Sequence, residues 1–178
     1  MGELRTSRLI GTRIGEEDRD DLVRLHLDED VSRFLGGTRS ADVTAEYLAT
    51  QIAHWNEHGF GLLALKTLGG EFVGRAGLRY TELEGEETLE IAYTLARPFW
   101  GQGLATEIAQ ALVDHWRAVL ADPSLLGLVM KGHVASDRVL LKTGFGYERD
   151  ADFHGARISV FRMDRSWLNR PSAYTPVT

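Results

Sequence analysis

The hydrophobic period of this chain changes near Gly59, and that change limits the folds open to it. Before Gly59, Ala45, Leu48, Ile52 and Trp55 fall three and four apart, on one face of a helix. After it come three short apolar or alternating stretches, Phe60–Lys66, Glu71–Thr81 and Thr88–Leu95. Gly69-Gly70 and the polar turn Glu84–Glu87 separate them, so they read as strands of an antiparallel meander. The helical period then returns from about Leu104 to Leu120, with Leu104, Ile108, Leu112, Trp116 and Val119 as its buried stripe. Asp122-Pro123 stops that helix.

The flanks fill in around this centre. Arg5–Ile14 alternates as a strand, and Glu16–Leu27 opens with acids that suit a helix N-terminus. Asp28–Leu35 reads as a short helix stopped by Gly36-Gly37, and Ser40 or Asp42 caps the helix that Gly59 ends. Past the long helix, Leu126–His133 is a strand, Ser136–Lys142 a short helix with Gly144 as its stop, and Phe145–Arg149 and Arg157–Asp164 are closing strands. A meander followed by a single strand–helix–strand crossover predicts a layered α/β domain with a mixed sheet, not a doubly wound one. The 178 residues suit one domain, with its core over about 5–167 and a poorly ordered tail at 168–178.

Composition removes several functions. With no cysteine there is no disulfide, thiolate metal site or cysteine nucleophile. A net charge of −6 with dispersed Lys and Arg leaves no basic footprint for nucleic acid. None of the 6 histidines has zincin spacing, so no metal is expected. No apolar run is long enough to span a bilayer, and Met1–Arg13 lacks the apolar stretch of a secretory signal, which predicts a cytoplasmic protein without membrane contact. Trp55, Trp116 and Trp167 read as core or interface aromatics, and a homodimer stays open; His26, His54 and His115 read as ordinary surface or partly buried residues.

The sharpest local signal is Arg97-Pro98-Phe99-Trp100-Gly101-Gln102-Gly103-Leu104-Ala105-Thr106, between a strand and an amphipathic helix. Glycines there strip side chains from a strand-to-helix turn and expose backbone N–H groups at the positive end of the helix dipole, a setting suited to pyrophosphate. Two rival phosphate motifs fail. A dinucleotide fingerprint needs glycine or alanine at Thr106 after the first parallel strand, and a Walker loop needs Gly-Lys-Ser/Thr where Gln102 and Leu104 stand.

From Arg5 to about Trp167 the chain resembles the GCN5-related N-acetyltransferases, in particular the branch with the ribosomal-protein N-terminal acetyltransferases. The matching segments run in order. They are Thr6-Ser7-Arg8-Leu9, Phe34-Leu35-Gly36-Gly37, Trp55 through Gly59-Phe60-Gly61, and Phe72-Val73-Gly74-Arg75-Ala76-Gly77-Leu78. Glu90-Ile91-Ala92-Tyr93-Thr94-Leu95, Phe99 through Glu107, and Ser136-Asp137-Arg138-Val139-Leu140 with Lys142, Gly144 and Phe145 follow.

The resemblance implies a three-layer domain with a splayed, mostly antiparallel mixed sheet, using acetyl-CoA as donor and no metal. Thr94, Leu95 and Ala96 would offer backbone groups to the pantetheine arm. Trp100, Gly101, Gln102, Gly103, Leu104, Ala105 and Thr106 would hold the pyrophosphate, and His133, Ser136 and Lys142 would complete the cofactor side. The thioester would sit in the splay, and the amine would arrive from the side of the early helices and the loop before Phe60. Three places depart from the family pattern: Trp100 stands where the loop carries Gln or Arg, His133 where the branch has Asn, and Leu140 where many relatives have a general-acid tyrosine.

An amine must lose a proton to attack a thioester, and a carboxylate acting directly or through water is a natural base. Glu90 is the candidate; the bland alternative is an exposed strand residue in an acidic hairpin. The leaving thiolate needs a proton or a hydrogen bond, and Ser136 is the candidate; the alternative for Ser136 is the N-cap of the helix through Lys142, and one hydroxyl can serve both. Two functions follow: an N-acetyltransferase, or a non-catalytic acyl-CoA-binding sensor on the same fold. Glu82, Glu84, Glu86, Glu87 and Glu90 predict a cationic acceptor, a basic protein N-terminus or a polyamine-like molecule, drawn in by an acidic rim. The alternative for this hairpin is a solvated turn.

Overall fold

Tight turns organise the centre of the fold. The structure, a computed structural model, describes residues 2–166; Trp167 and the 168–178 tail expected to be poorly ordered lie outside the described residues. Strands β1 (Glu3–Arg5) and β2 (Leu9–Arg13) precede α1 (Arg19–Leu27), α2 (Glu29–Ser32) and α3 (Ala41–His58). The meander follows as β3 (Leu62–Thr67), β4 (Phe72–Leu83) and β5 (Glu86–Leu95). Then come α4 (Leu104–Val119), β6 (Ser124–Met130), α5 (Val134–Lys142), β7 (Gly146–Phe153) and β8 (Ala156–Asp164). The strands form one sheet in the order β1-β2-β3-β4-β5-β6-β8-β7.

Local chemistry explains most boundaries. The Ser40 side chain accepts from the Val43 N–H at the start of α3, and Gly59 ends that helix in the left-handed region at φ 72°. Glu84-Gly85 (φ 54° and 86°) and His154-Gly155 (φ 49° and 78°) make two-residue hairpin turns whose positive φ matches the strand twist. These turns carry β4, β5 and β7 further than periodicity alone predicts. The expected single strand Arg5–Ile14 is two strands, because Thr6 turns the chain. Its backbone N–H donates to Leu9 O at 2.9 Å, and its hydroxyl accepts from Leu9 N at 3.0 Å. On α4, Leu104, Ile108, Leu112 and Trp116 are buried as expected, but Val119 is 64% exposed, past the turn that meets the sheet. His133, not Ser136, caps α5, and Ser136 falls inside the first turn.

Neighbouring strands pair antiparallel except β5 and β6, which run parallel. β4 and β5 stay in register from Gly74↔Leu95 to Leu83↔Glu86, whereas β5 and β6 meet only at Glu90↔Leu126 among the described residues. Beyond Glu90 the two strands part, and alternate peptide groups of residues 91–95 face a wedge instead of a strand. α1–α3 lie on one side of the sheet, where Tyr47 of α3 faces Arg75 of β4; α4 and α5 lie on the other, where Ser136 of α5 meets Tyr93 of β5. No helix among the described residues is long and apolar enough to cross a membrane.

Candidate active site

The turn into α4 is built without side chains. Gly101 and Gly103 have φ of 73° and 79°, and Gly103 is the N-cap with no side-chain cap bond. The first intrahelical bond is Glu107 N to Gly103 O, so the amides of residues 104–106 have no helical partner and point out of the helix end. Three contacts fix the turn: Trp100 Nε1 donates to Leu95 O at 2.7 Å, Gln102 Nε2 to Pro98 O at 2.8 Å, and Arg8 Nη1 to Gln102 O at 2.9 Å. Trp100 and Gln102 thus hold the loop through side chains while the glycines present backbone.

Arg8 brings a positive charge to this turn. Its Nη2 lies 3.7 Å from where a Cβ on Gly103 would stand. Glu107 holds Arg8 with a 2.7 Å ion pair and also accepts from the Arg8 amide at 2.9 Å and the Ser7 hydroxyl at 3.0 Å. Burial opposes ionisation of Glu107, but hydrogen bonds from Thr6, Arg8 and Ser7 outweigh it and hold the carboxyl at about 2. Glu107 therefore staples the β1–β2 turn to the loop.

The wedge between β5 and β6 opens into a cleft of about 100 Å³. Glu90 lines it and is only 5% exposed, which removes the exposed-hairpin alternative for this residue. Arg79, its cross-strand partner on β4, donates from Nε to Glu90 Oε2 at 3.0 Å. Oε1 has no hydrogen-bond partner among the described residues. The other four glutamates of the hairpin, Glu82, Glu84, Glu86 and Glu87, are exposed and do not line the cleft, and Glu84 pairs with Arg149 at 2.7 Å.

On the opposite wall, the Tyr93 hydroxyl lies 2.8 Å from Ser136 Oγ and 3.2 Å from the Ser136 carbonyl oxygen. Burial raises the Tyr93 pKa, with the Ser136 hydrogen bond acting against it, so the phenol stays protonated at neutral pH. Leu140, at the vacant tyrosine place, is buried, and Gly127 makes room for it: a Cβ there would lie 2.5 Å from Leu140 Cδ1. Tyr93 brings a phenol to the cleft from the strand instead. Thr94 also lines the cleft, while Leu95 and Ala96 continue from it to the glycine turn.

His133 and Lys142 stand apart from the cleft lining. The His133 ring stacks on Phe34 at 3.9 Å and ties the α2–α3 connection to α5. Lys142 is exposed in the last turn of α5. Arg8, Arg75, Arg79 and Tyr93 are the residues that sequence reasoning passed over. Arg75 and Arg79 carried a readable signal, since two arginines four apart in an otherwise apolar strand share one face.

A side-chain-free helix N-terminus thus stands beside a parted pair of parallel strands, with a carboxylate on one wall and a hydroxyl pair on the other. The model of the acetyltransferase (GNAT) domain matches residues 8–146. The Bacillus subtilis (strain 168) protein YkkB is 32% identical over 154 residues, which cover 82% of this chain and 87% of that one. The crystal structure of the acetyltransferase from Agrobacterium tumefaciens str. C58 superposes with a TM-score of 0.81 at 24% identity, over 93% of this chain and 95% of that one. The spermidine N-acetyltransferase from Vibrio cholerae, solved with CoA and spermine, superposes at 0.73 with 14% identity, over 92% and 99% of the two chains. The chain belongs to the GNAT acetyltransferase family and is an acetyl-CoA-dependent acetyltransferase.

Proposed function

We propose that the chain transfers the acetyl group of acetyl-CoA to a primary amine by direct attack, with both substrates bound together. The observation that carries this reading is the wedge at Glu90: the carboxylate and the Tyr93–Ser136 pair face one space where β5 leaves β6.

The residues fit the donor. The open amides of 104–106, the glycines at 101 and 103 and the Arg8 charge suit a pyrophosphate, and the edge of β5 that β6 leaves beyond Glu90, running through Thr94 toward Leu95 and Ala96, suits an amide-bearing arm, although Leu95 O is taken by Trp100 and Ala96 N by Val73 O. Glu90, anchored through Oε2 by Arg79, keeps Oε1 free to take the proton that the amine loses as its nitrogen bonds to the acyl carbon. The Ser136 hydroxyl, held 2.8 Å from the Tyr93 hydroxyl, hydrogen-bonds the sulfur and stabilises the thiolate as the carbon–sulfur bond breaks.

The test measures CoA release over an amine panel together with acetyl-CoA affinity. Glu90→Gln is expected to lower kcat by roughly 10²–10⁴-fold with acetyl-CoA affinity little changed. A variant with full turnover across pH would assign the base elsewhere. Tight acetyl-CoA binding without turnover on any amine would favour the sensor reading.

A further inference from the structure

Arg75 is the feature of the cleft that acetyl transfer by itself leaves unused. It sits in the middle of β4, opposite Thr94, and is 4% exposed. Among the described residues it makes no hydrogen bond and no ion pair, and its Nε is buried without a partner. The Tyr47 ring lies against it, with its centroid 5.0 Å from the guanidinium carbon. Arg39 packs on the same ring at 5.1 Å, so Tyr47 sits against two cations.

The charges around the cleft do not balance. Its lining contains Arg75, Arg79 and Glu90 as the charged groups, and the Glu90 hydrogen bond goes to Arg79. Among the described residues, no carboxylate of α1 or α3 forms a hydrogen bond or ion pair with Arg75. His26 of α1, expected as an ordinary surface or partly buried histidine, is fully buried edge-on to Tyr47, with Nδ1 3.1 Å from Thr44 Oγ1. Burial, with Arg75 and Arg39 nearby, pushes its pKa down to about 3, so it is neutral. A guanidinium stays charged even when buried; Glu90 attracts Arg75 but is bonded to Arg79, and a buried charge without an ion pair of its own is unfavourable unless a ligand supplies one.

We propose that Arg75 binds a carboxylate on the acceptor, so that the substrate is an amino-acid-like amine carrying its own anion. The inference rests on the acetyltransferase reading for the amine half of that substrate. Arg75 and Arg79 share a face of β4, four residues and about 13 Å apart along the strand, with Glu90 opposite Arg79. One molecule lying along this face presents its amine to Glu90 and its carboxylate to Arg75. The pairing is the planar, bidentate kind for which arginine is suited and lysine is not.

The test compares amino acids of increasing amine-to-carboxylate length with their carboxamides, their decarboxylated amines and spermidine, in the parent protein, Arg75→Met and Arg75→Lys. CoA release gives kcat/KM; calorimetry with the corresponding N-acetyl amino acids gives binding without turnover. In the parent, at least one carboxylate-bearing amine should exceed its carboxamide on the order of 10²-fold in kcat/KM, and Arg75→Met should collapse that ratio. Arg75→Lys should recover only part of it. Arg75→Met removes an unpaired buried charge for an apolar side chain of similar length, so it should melt no lower than the parent. If no amine turns over but N-acetyl amino acids bind the parent and not Arg75→Met, the carboxylate site stands and the transfer reading fails. Equal use of amides and carboxylates, preference for spermidine, or a ratio unmoved in Arg75→Met would overturn the proposal.

Discussion

Replacing Glu107 with Gln keeps the shape of the staple between the β1–β2 turn and the glycine loop and removes its charge. The parent carboxylate ionises at about 2, against an ordinary 4.5. At about 1.4 kcal/mol per pH unit, that difference sets an upper limit of about 3 kcal/mol for the ionised form. The Arg8 side chain is 49% exposed and the Glu107 side chain 16%, so solvent screening reduces the limit to about 1–2 kcal/mol. For a domain of this size that is a melting temperature lower by roughly 3–6 °C at pH 7.

The sign of the pH dependence follows from the depressed value. The contribution is fully present above about 4.5 and is lost as pH falls toward 2. Thermal melts of the two proteins from pH 7 to pH 2.5 should therefore start apart and converge in acid. Parallel curves with a constant offset, or identical melting at pH 7, would show that the hydrogen bonds around Glu107 carry no charge-dependent stability.

Two further substitutions probe the cleft. Gly103→Glu should abolish acetyl-CoA binding by calorimetry while the fold survives. The new residue must hold φ near 79° at a cost of about 1–2 kcal/mol, its Cβ meets only Arg8 Nη2 at an ordinary contact distance of 3.7 Å, and its carboxylate would repel a pyrophosphate and draw off the Arg8 charge. Unchanged affinity would refute the phosphate-turn reading. Tyr93→Phe should lower kcat about 10-fold with KM for acetyl-CoA unchanged, because Ser136 loses its 2.8 Å partner but keeps its own proton. A change confined to KM would make Tyr93 a packing residue.

The sequence determined what depends on near neighbours. The helical stripe of α4, the Ser40 and Gly59 caps of α3 and the turns of the meander are settled within a few residues, and each was legible. The glycine turn before α4 was legible for the same reason, since two left-handed residues and a helix start lie together in the chain. Even the pairing of Arg79 with Glu90 follows from centring the hairpin on its turn, which sets Thr81 opposite Thr88.

Tertiary structure alone decided which of these side chains lie in water and which in the cleft. Glu90 shares its acidic neighbourhood with four exposed glutamates, and nothing local separates it from them; α1–α3 cover its part of the sheet and leave the tip bare. The Arg8–Glu107 staple joins residues 99 apart, and the Tyr93–Ser136 bond joins residues 43 apart. Such contacts depend on how helices pack across the sheet, which no local pattern encodes. The unpaired state of Arg75 has the same origin: the strand put an arginine there, and only the packing of Tyr47, His26 and Arg79 around it left that arginine without an ion pair of its own.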